Sequence, residues 1–320
     1  MSHKRRNVVK FFAILGSAML LIALTATWTL TDEHSWYPSK WGKDDQRGAA
    51  NLLTATKVLE AASLIKEGKV YQLGRVYEAG MPLFGTRHYS LLIPQTGSTD
   101  HANKVTWHDE IVSGEIGQIG TQFDGLGHIG IGNLYYNGNN RLDFAKPDGL
   151  KKLGVENVGV FVTRGVLIDV AGYKGVEHLE GGYEITVEDI EGALKKQGVE
   201  IRPGDVVLTH TGWGKFWMTD NERYNGSEPG IGMEAGKYLV EKQIVMAGAD
   251  NWAIEVVPNP DESMFAPVHQ LFIAKNGIYN IENLITAELA ADKVYEFAFI
   301  FSPLRLKGGT GSPGNPIAIR

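Results

Sequence analysis

Residues Gly117 to Gly132 read GQIGTQFDGLGHIGIG, and how this stretch is understood decides the fold around it. Gln118, Gln122, Asp124 and His128 stand at offsets 0, 4, 6 and 10, interleaved with glycines at 117, 120, 125, 127, 130 and 132. A metal ion needs lone pairs converging within about 2 Å of one point, so short spacings on a tightly folded turn suit it. Glycine permits such folding because it carries no Cβ. On spacing alone, a glycine-rich turn with a hydrogen-bonded Asp and His explains the stretch as well as a metal site does.

Composition narrows the chemistry. The chain of 320 residues has no cysteine, which excludes disulfides, thiolate metal sites and cysteine nucleophiles. Any metal must be held by His, carboxylate, amide or water oxygen, which disfavours a structural zinc site. Four of the 31 basic residues (Lys4, Arg5, Arg6 and Lys10) lie in the first 31 positions, where there is no acid. From Asp32 onward 27 basic residues face 37 acidic ones, a balance that argues against binding nucleic-acid phosphates.

The opening segment has its own character. A basic start precedes an apolar run from Phe11 to Trp28 that is apolar on all faces. Its 18 residues just suffice to span a bilayer. Residues 1–31 are therefore expected to be a signal peptide or an uncleaved membrane anchor. Either would place the body outside the cytoplasm, periplasmic or at the cell surface, with any membrane contact confined to that segment.

Residues 32–320 read as one continuous domain. TATKVLEAASLIKE, residues 54–67, has apolar residues at Val58, Leu59, Ala62 and Ile65, with Thr54 as N-cap and Gly68 as stop. KVYQLGRVY predicts a strand. NVGVFVTRGVLIDV predicts two short strands broken at Arg164-Gly165, and a buried ion pair between Arg164 and Asp169. TVEDIEGALKKQG is a capped amphipathic helix ending at Gly198, while PGDVVLTHTG and YEFAFIFSPL carry buried strands. The mixture predicts an α/β fold with a substantial mixed sheet. No G-x-S-x-G nucleophile elbow, Walker or dinucleotide-binding context accompanies it.

The stretch Gln118-Ile-Gly-Thr-Gln122-Phe-Asp124-Gly-Leu-Gly-His128 resembles the signature H-x-G-T-H-x-D-x-x-x-H of the cyclase family, which includes bacterial kynurenine formamidases and manganese-dependent isatin hydrolases. The resemblance runs from about Trp41 to Ile319. It passes in order through WGKDDQRGAANLLT, AGMPLF, YYNG, RGVLIDV, GDVVLTHTGW, GADNWAIEVVP, VHQLFIAKNGIYNIENL and GTGSPGNPIAI. It implies the kynurenine formamidase-like fold and a metal-dependent hydrolase of a small amide, either an N-formyl aryl amine or a cyclic amide. A lactone or other ester also fits.

By position, the resemblance makes Asp124, His269 and Glu282 metal ligands and His128 the acid–base residue. Metal-bound water would be the nucleophile. Gln118 and Gln122 replace the first two signature histidines. An amide oxygen is a poorer zinc ligand than imidazole but suits harder ions, so one divalent ion, manganese or zinc, or an altered two-ion site is expected. The alternatives are a binding or scaffold protein on the same fold, and a cyclase or dehydratase-type activity. The expected partners are a small-molecule substrate and a second copy of the chain, which the arm LKGGTGSPGNPIAIR would reach.

Other conspicuous residues have plainer readings. His88, His101 and His108 are expected at the surface, and His210 packed and hydrogen-bonded near a strand end. Asp44 and Asp45 are expected to cap a turn. Trp41, Trp107, Trp213, Trp217 and Trp252 are expected to divide between core and an aromatic pocket.

Overall fold

A computed structural model describes residues 36–94 and 97–320. The proposed signal or anchor segment lies outside the described residues. Among them, no helix is long and apolar enough to cross a membrane. Trp36–Arg320 form one compact unit.

Its frame is a nine-stranded mixed sheet. In chain order the strands are β1 (Val70–Gln72), β2 (Gln122–Asp124), β3 (Phe161–Asp169), β4 (Val206–His210), β5 (Met246–Ala249), β6 (Tyr279–Glu282), β7 (Glu296–Phe301), β8 (Gly311–Pro313) and β9 (Ile317–Ile319). Across the sheet they run β1-β9-β7-β3-β4-β5-β6-β2-β8. The four central strands, β3 to β6, are parallel, and the strands on either side pair antiparallel. The expected mixed α/β fold is what forms.

The helices follow from local signals. α1 (Ala55–Ser63) starts at Thr54, whose hydroxyl accepts from the Lys57 amide. α2 (Val187–Gln197) carries a capping box between Thr186 and Asp189 and ends at Gly198 in the left-handed conformation. α3 (Met233–Glu241) packs against α4, which begins at Pro267–His269 and continues as π-helical turns over Gln270–Asn276. α1 differs from expectation in length and in face. It ends at Ser63 and buries Lys57 and Ala61, leaving Leu59 71% exposed. The reason is electrostatic: the Lys57 ammonium reaches the fully buried Asp205 at 3.0 Å.

Two further expectations are corrected. β3 is a single nine-residue strand, unbroken at Arg164-Gly165, because Gly165 makes room for the Phe297 ring of β7. Arg164 does not pair with Asp169. Five residues separate them, an odd offset, so they project from opposite faces of one strand. Arg164 instead bonds Asp205 at 2.5 and 3.2 Å and Glu296 at 2.5 Å, and Asp169 accepts from the Gly172 amide at the start of a short helix. The C-terminal arm is also taken up within this chain: β8 borders β2, and β9 lies between β1 and β7.

The alternation of β2 sets up the site. Phe123 turns to one face, where its ring lies 5.1 Å from Tyr279, 5.5 Å from Phe161 and 5.4 Å from Phe301. Truncating such a ring costs about 3–5 kcal/mol, so the register of β2 is strongly specified. Gln122 and Asp124 must then share the other face. There they stand opposite Glu282 and Asn280 of β6.

Candidate metal centre

Asp124, His269 and Glu282 are brought together, each offering one ligand atom within 4.8 Å of the others, and all three are buried. Asp124 comes from the end of β2, Glu282 from the carboxyl end of β6 and His269 from the first turn of α4. His269 Nε2 lies 3.0 Å from Glu282 Oε1 and 3.8 Å from Asp124 Oδ2. That Asp124 oxygen is buried without a hydrogen-bond partner. An orphaned carboxylate oxygen, a second carboxylate and an imidazole nitrogen form a donor set that fits a divalent cation.

Glu255 positions the imidazole. Its carboxylate accepts from the backbone amides of Val268 (3.0 Å) and His269 (2.9 Å), two donors that a helix start leaves unpaired, and also bonds His269 Nδ1. A carboxylate at Nδ1 keeps a proton there and turns Nε2 toward the cluster, the outer-shell arrangement typical of metal-binding histidines. Burial opposes charge on His269, but its bonds to Glu255 and Glu282 outweigh it and raise the imidazole pKa well above the usual value. Burial, and then the charge of Asp124, push the Glu282 carboxyl up to about 7.

Both glutamines join the cluster, as donors. Gln118 Nε2 donates to Asp124 Oδ1 at 3.1 Å, and Gln122 Nε2 donates to Glu282 Oε2 at 2.6 Å. A carboxylate only accepts, so the amide nitrogen must face it, and that nitrogen has no lone pair for a metal. The expectation of amide oxygens turned toward an ion is not what this geometry provides. Each glutamine occupies one carboxylate oxygen and leaves the other, Asp124 Oδ2 or Glu282 Oε1, facing His269.

His128 stands 3.9 Å from Asp124 Oδ1, at the wall of a cavity of about 420 Å³. The turn that carries it closes through a bond from the His128 amide to the Gly125 carbonyl, 3.0 Å. Burial, helped by the charges of His269 and Arg87, holds its pKa below the usual value against the pull of Asp124. It is therefore neutral at pH 7 and able to accept a proton. Gln118, Gln122, His269 and Glu282 line the same cavity.

The remaining candidates fall elsewhere. His210 does not line the cavity; its Nδ1 lies 2.7 Å from Thr286 Oγ1 and 3.4 Å from Asp250 Oδ2. His88, His101 and His108 are exposed, and Asp45 accepts from the Gly48 amide at a helical turn, as expected. Of the described tryptophans only Trp252 lines the cavity, and it packs against a cluster in which Trp213 is fully buried. Two further residues line the cavity. Glu255 sits inside the quoted GADNWAIEVVP, where nothing local marks it. Arg87 opens RHYS, a stretch that only the family resemblance places near the mouth of the pocket.

Comparison with known proteins places this geometry in context. The family model described as "Putative cyclase" matches residues 30–256. A crystal structure of a novel cyclase superposes with TM-score 0.81 at 34% identity, covering 88% of this chain and 96% of that one. Isatin hydrolase A from Labrenzia aggregata, bound to benzyl benzoate, gives TM-score 0.59 at 22% identity over 81% of this chain and 94% of its own. A structure described as a predicted metal-dependent hydrolase from Bacillus stearothermophilus gives 0.51 at 18% identity over 79% and 98%. No curated protein sequence matches. With the family model covering most of the chain and the signature stretch folded into a buried Asp–His–Glu cluster, this chain belongs to the cyclase family.

Proposed function

We propose that the protein is a divalent-metal-dependent hydrolase of a small amide, an N-formyl aryl amine or a cyclic amide. The observation that carries this reading is the convergence of Asp124, His269 and Glu282, the last two lining a cavity that His128 also lines. The names of the isatin hydrolase and the metal-dependent hydrolase support it.

Asp124 Oδ2, Glu282 Oε1 and His269 Nε2 would hold one ion, manganese or zinc. Such an ion makes water a nucleophile near neutral pH and polarises a carbonyl. The chain's own groups do the rest. Glu255 fixes His269 in the tautomer that presents Nε2. Gln118 and Gln122 hold the two carboxylates in place. His128, neutral and within 3.9 Å of Asp124, takes up a proton as the amide is attacked and returns it to the departing nitrogen. The buried, unpaired Oε1 of Gln118 is left as an acceptor for a substrate N–H.

The test is metal content and turnover together. Protein purified without chelator and loaded with manganese or zinc should hold about one equivalent, lost in Asp124→Ala, and should cleave formanilide or isatin. His128→Ala should keep the ion and lose roughly 10²- to 10⁴-fold in kcat. Failure to retain either ion sinks the proposal. Retention without cleavage of either compound shifts the reading to a binding protein.

A further inference from the structure

From the arginine in the cavity wall we infer that the substrate carries an anionic group, a carboxylate on or next to an aromatic ring, and that Arg87 is the residue that selects it. The inference rests on the hydrolase reading only in naming the amide end of that molecule.

Three observations support it. First, the cavity is acidic: Glu282 and Glu255 lie at its inner end and Glu262 at its exposed rim, and beside His128 and His269 Arg87 is the cationic side chain among its lining residues. Second, Arg87 is uncommitted. Its guanidinium lies 5.5 Å from the centroid of the Phe84 ring, and among the described residues it makes no ion pair or hydrogen bond. A half-buried arginine beside so many carboxylates would ordinarily pair with one of them. Its charge nonetheless reaches the reacting end of the cavity, acting on both His128 and Glu282.

Third, Arg87 stands beside an aromatic wall. Its guanidinium carbon lies 5.5 Å from the Phe84 centroid, and Phe84 stacks on Trp252 at 4.6 Å and 18°. A guanidinium presents an N–H edge that matches a carboxylate through two parallel bonds. The same aromatic wall gives a flat ring a surface to lie on. The cavity thus has a ring platform, a forked cation at its side and a proton acceptor near the carboxylate cluster. A neutral amide would leave the fork unused.

The experiment compares formanilide with the ortho, meta and para formamidobenzoates by calorimetric binding and by turnover. The full chain is used with its divalent ion bound. At least one formamidobenzoate should bind roughly 10- to 100-fold more tightly than formanilide, the usual worth of a charge-assisted pair. Arg87→Met should bring that ratio close to one, and Arg87→Lys should keep only part of it, because lysine has charge without the fork. Retained thermal unfolding of both variants checks the fold.

Three results overturn the inference: no isomer favoured over formanilide, a preference that survives Arg87→Met, or a preference that vanishes only when the divalent ion is stripped. The last would assign the carboxylate to the ion. A preference that depends on Arg87 with no probe cleaved would uphold this inference while removing the hydrolase reading.

Discussion

At the amino ends of β3 and β4, three cations (Lys57, Arg164 and Arg202) face four carboxylates (Glu60, Glu200, Asp205 and Glu296). Near the carboxyl end of β6, one imidazole faces three carboxylates, those of Asp124, Glu255 and Glu282. Both clusters are largely buried in the same sheet. The first is close to balance, its fourth carboxylate being the exposed Glu200, and every charged oxygen of Asp205 has a donor. The second carries surplus negative charge and an oxygen without a partner. Burial of unbalanced charge is costly, so a fold retains it where something else completes it. The first cluster serves stability, and the second is the candidate for binding.

That contrast can be broken by mutation. The largest effect is expected at the balanced end. Arg164→Leu strips Asp205 of its main partner and should lower the unfolding free energy by about 3–5 kcal/mol in a denaturant titration. At the unbalanced end the sign should invert with metal. A divalent ion at 100 times its Kd should add about 2.7 kcal/mol to the wild-type protein. Asp124→Asn should abolish that gain, yet stabilise the metal-free protein by on the order of 1 kcal/mol, by relieving repulsion with Glu282. An apo form destabilised by Asp124→Asn would show that the surplus charge is not surplus.

The smallest effect concerns His210 and Asp250. Burial opposes the charge on His210, but Asp250 outweighs it and raises the imidazole pKa above 6.5. Its share of stability is therefore complete below about pH 6.5 and is lost as pH rises through the higher folded value. Burial likewise opposes the Asp250 carboxylate, yet His210 and Thr211 lower its pKa to about 2. That share is present above the usual 3.8 and is lost as pH falls toward about 2. Stability measured against pH should decline on the alkaline side in the wild type and less steeply in His210→Gln. Identical slopes would remove the ion pair from the account.

The sequence made some of this legible and hid the rest for identifiable reasons. Helix α2 announced itself through Thr186, Asp189 and Gly198, because capping is a local interaction. Asp124 and His128 stood out by spacing, whereas His269 and Glu282 entered only through family resemblance, since nothing near them in the chain marks a ligand. Arg164 and Asp169 are neighbours in sequence, but the parity of strand β3 parts them and only the fold brings Asp205 to Arg164. α1 was read by its apolar residues, while an ion pair from Lys57 to a strand far along the chain decided which face went inward. The role of the glutamines depends on which end of the amide meets a carboxylate, and only the folded register of β2 against β6 supplies that.

The same register bears on when the site comes into being. β2 is held between β6 and β8, so Asp124 has Asn280 on one side and Gly311 on the other. Gly311 is itself a tight fit: a methyl group there would fall 2.6 Å from Gln118 Nε2 and 2.4 Å from the Gly117 carbonyl oxygen. During synthesis the signature stretch emerges long before either flanking strand. A nascent chain therefore displays Asp124 and His128 alone, and Asp124, His269 and Glu282 come together only once β6 has been made and has paired with β2. Assembly of the cluster is thereby deferred to the later part of synthesis by topology alone.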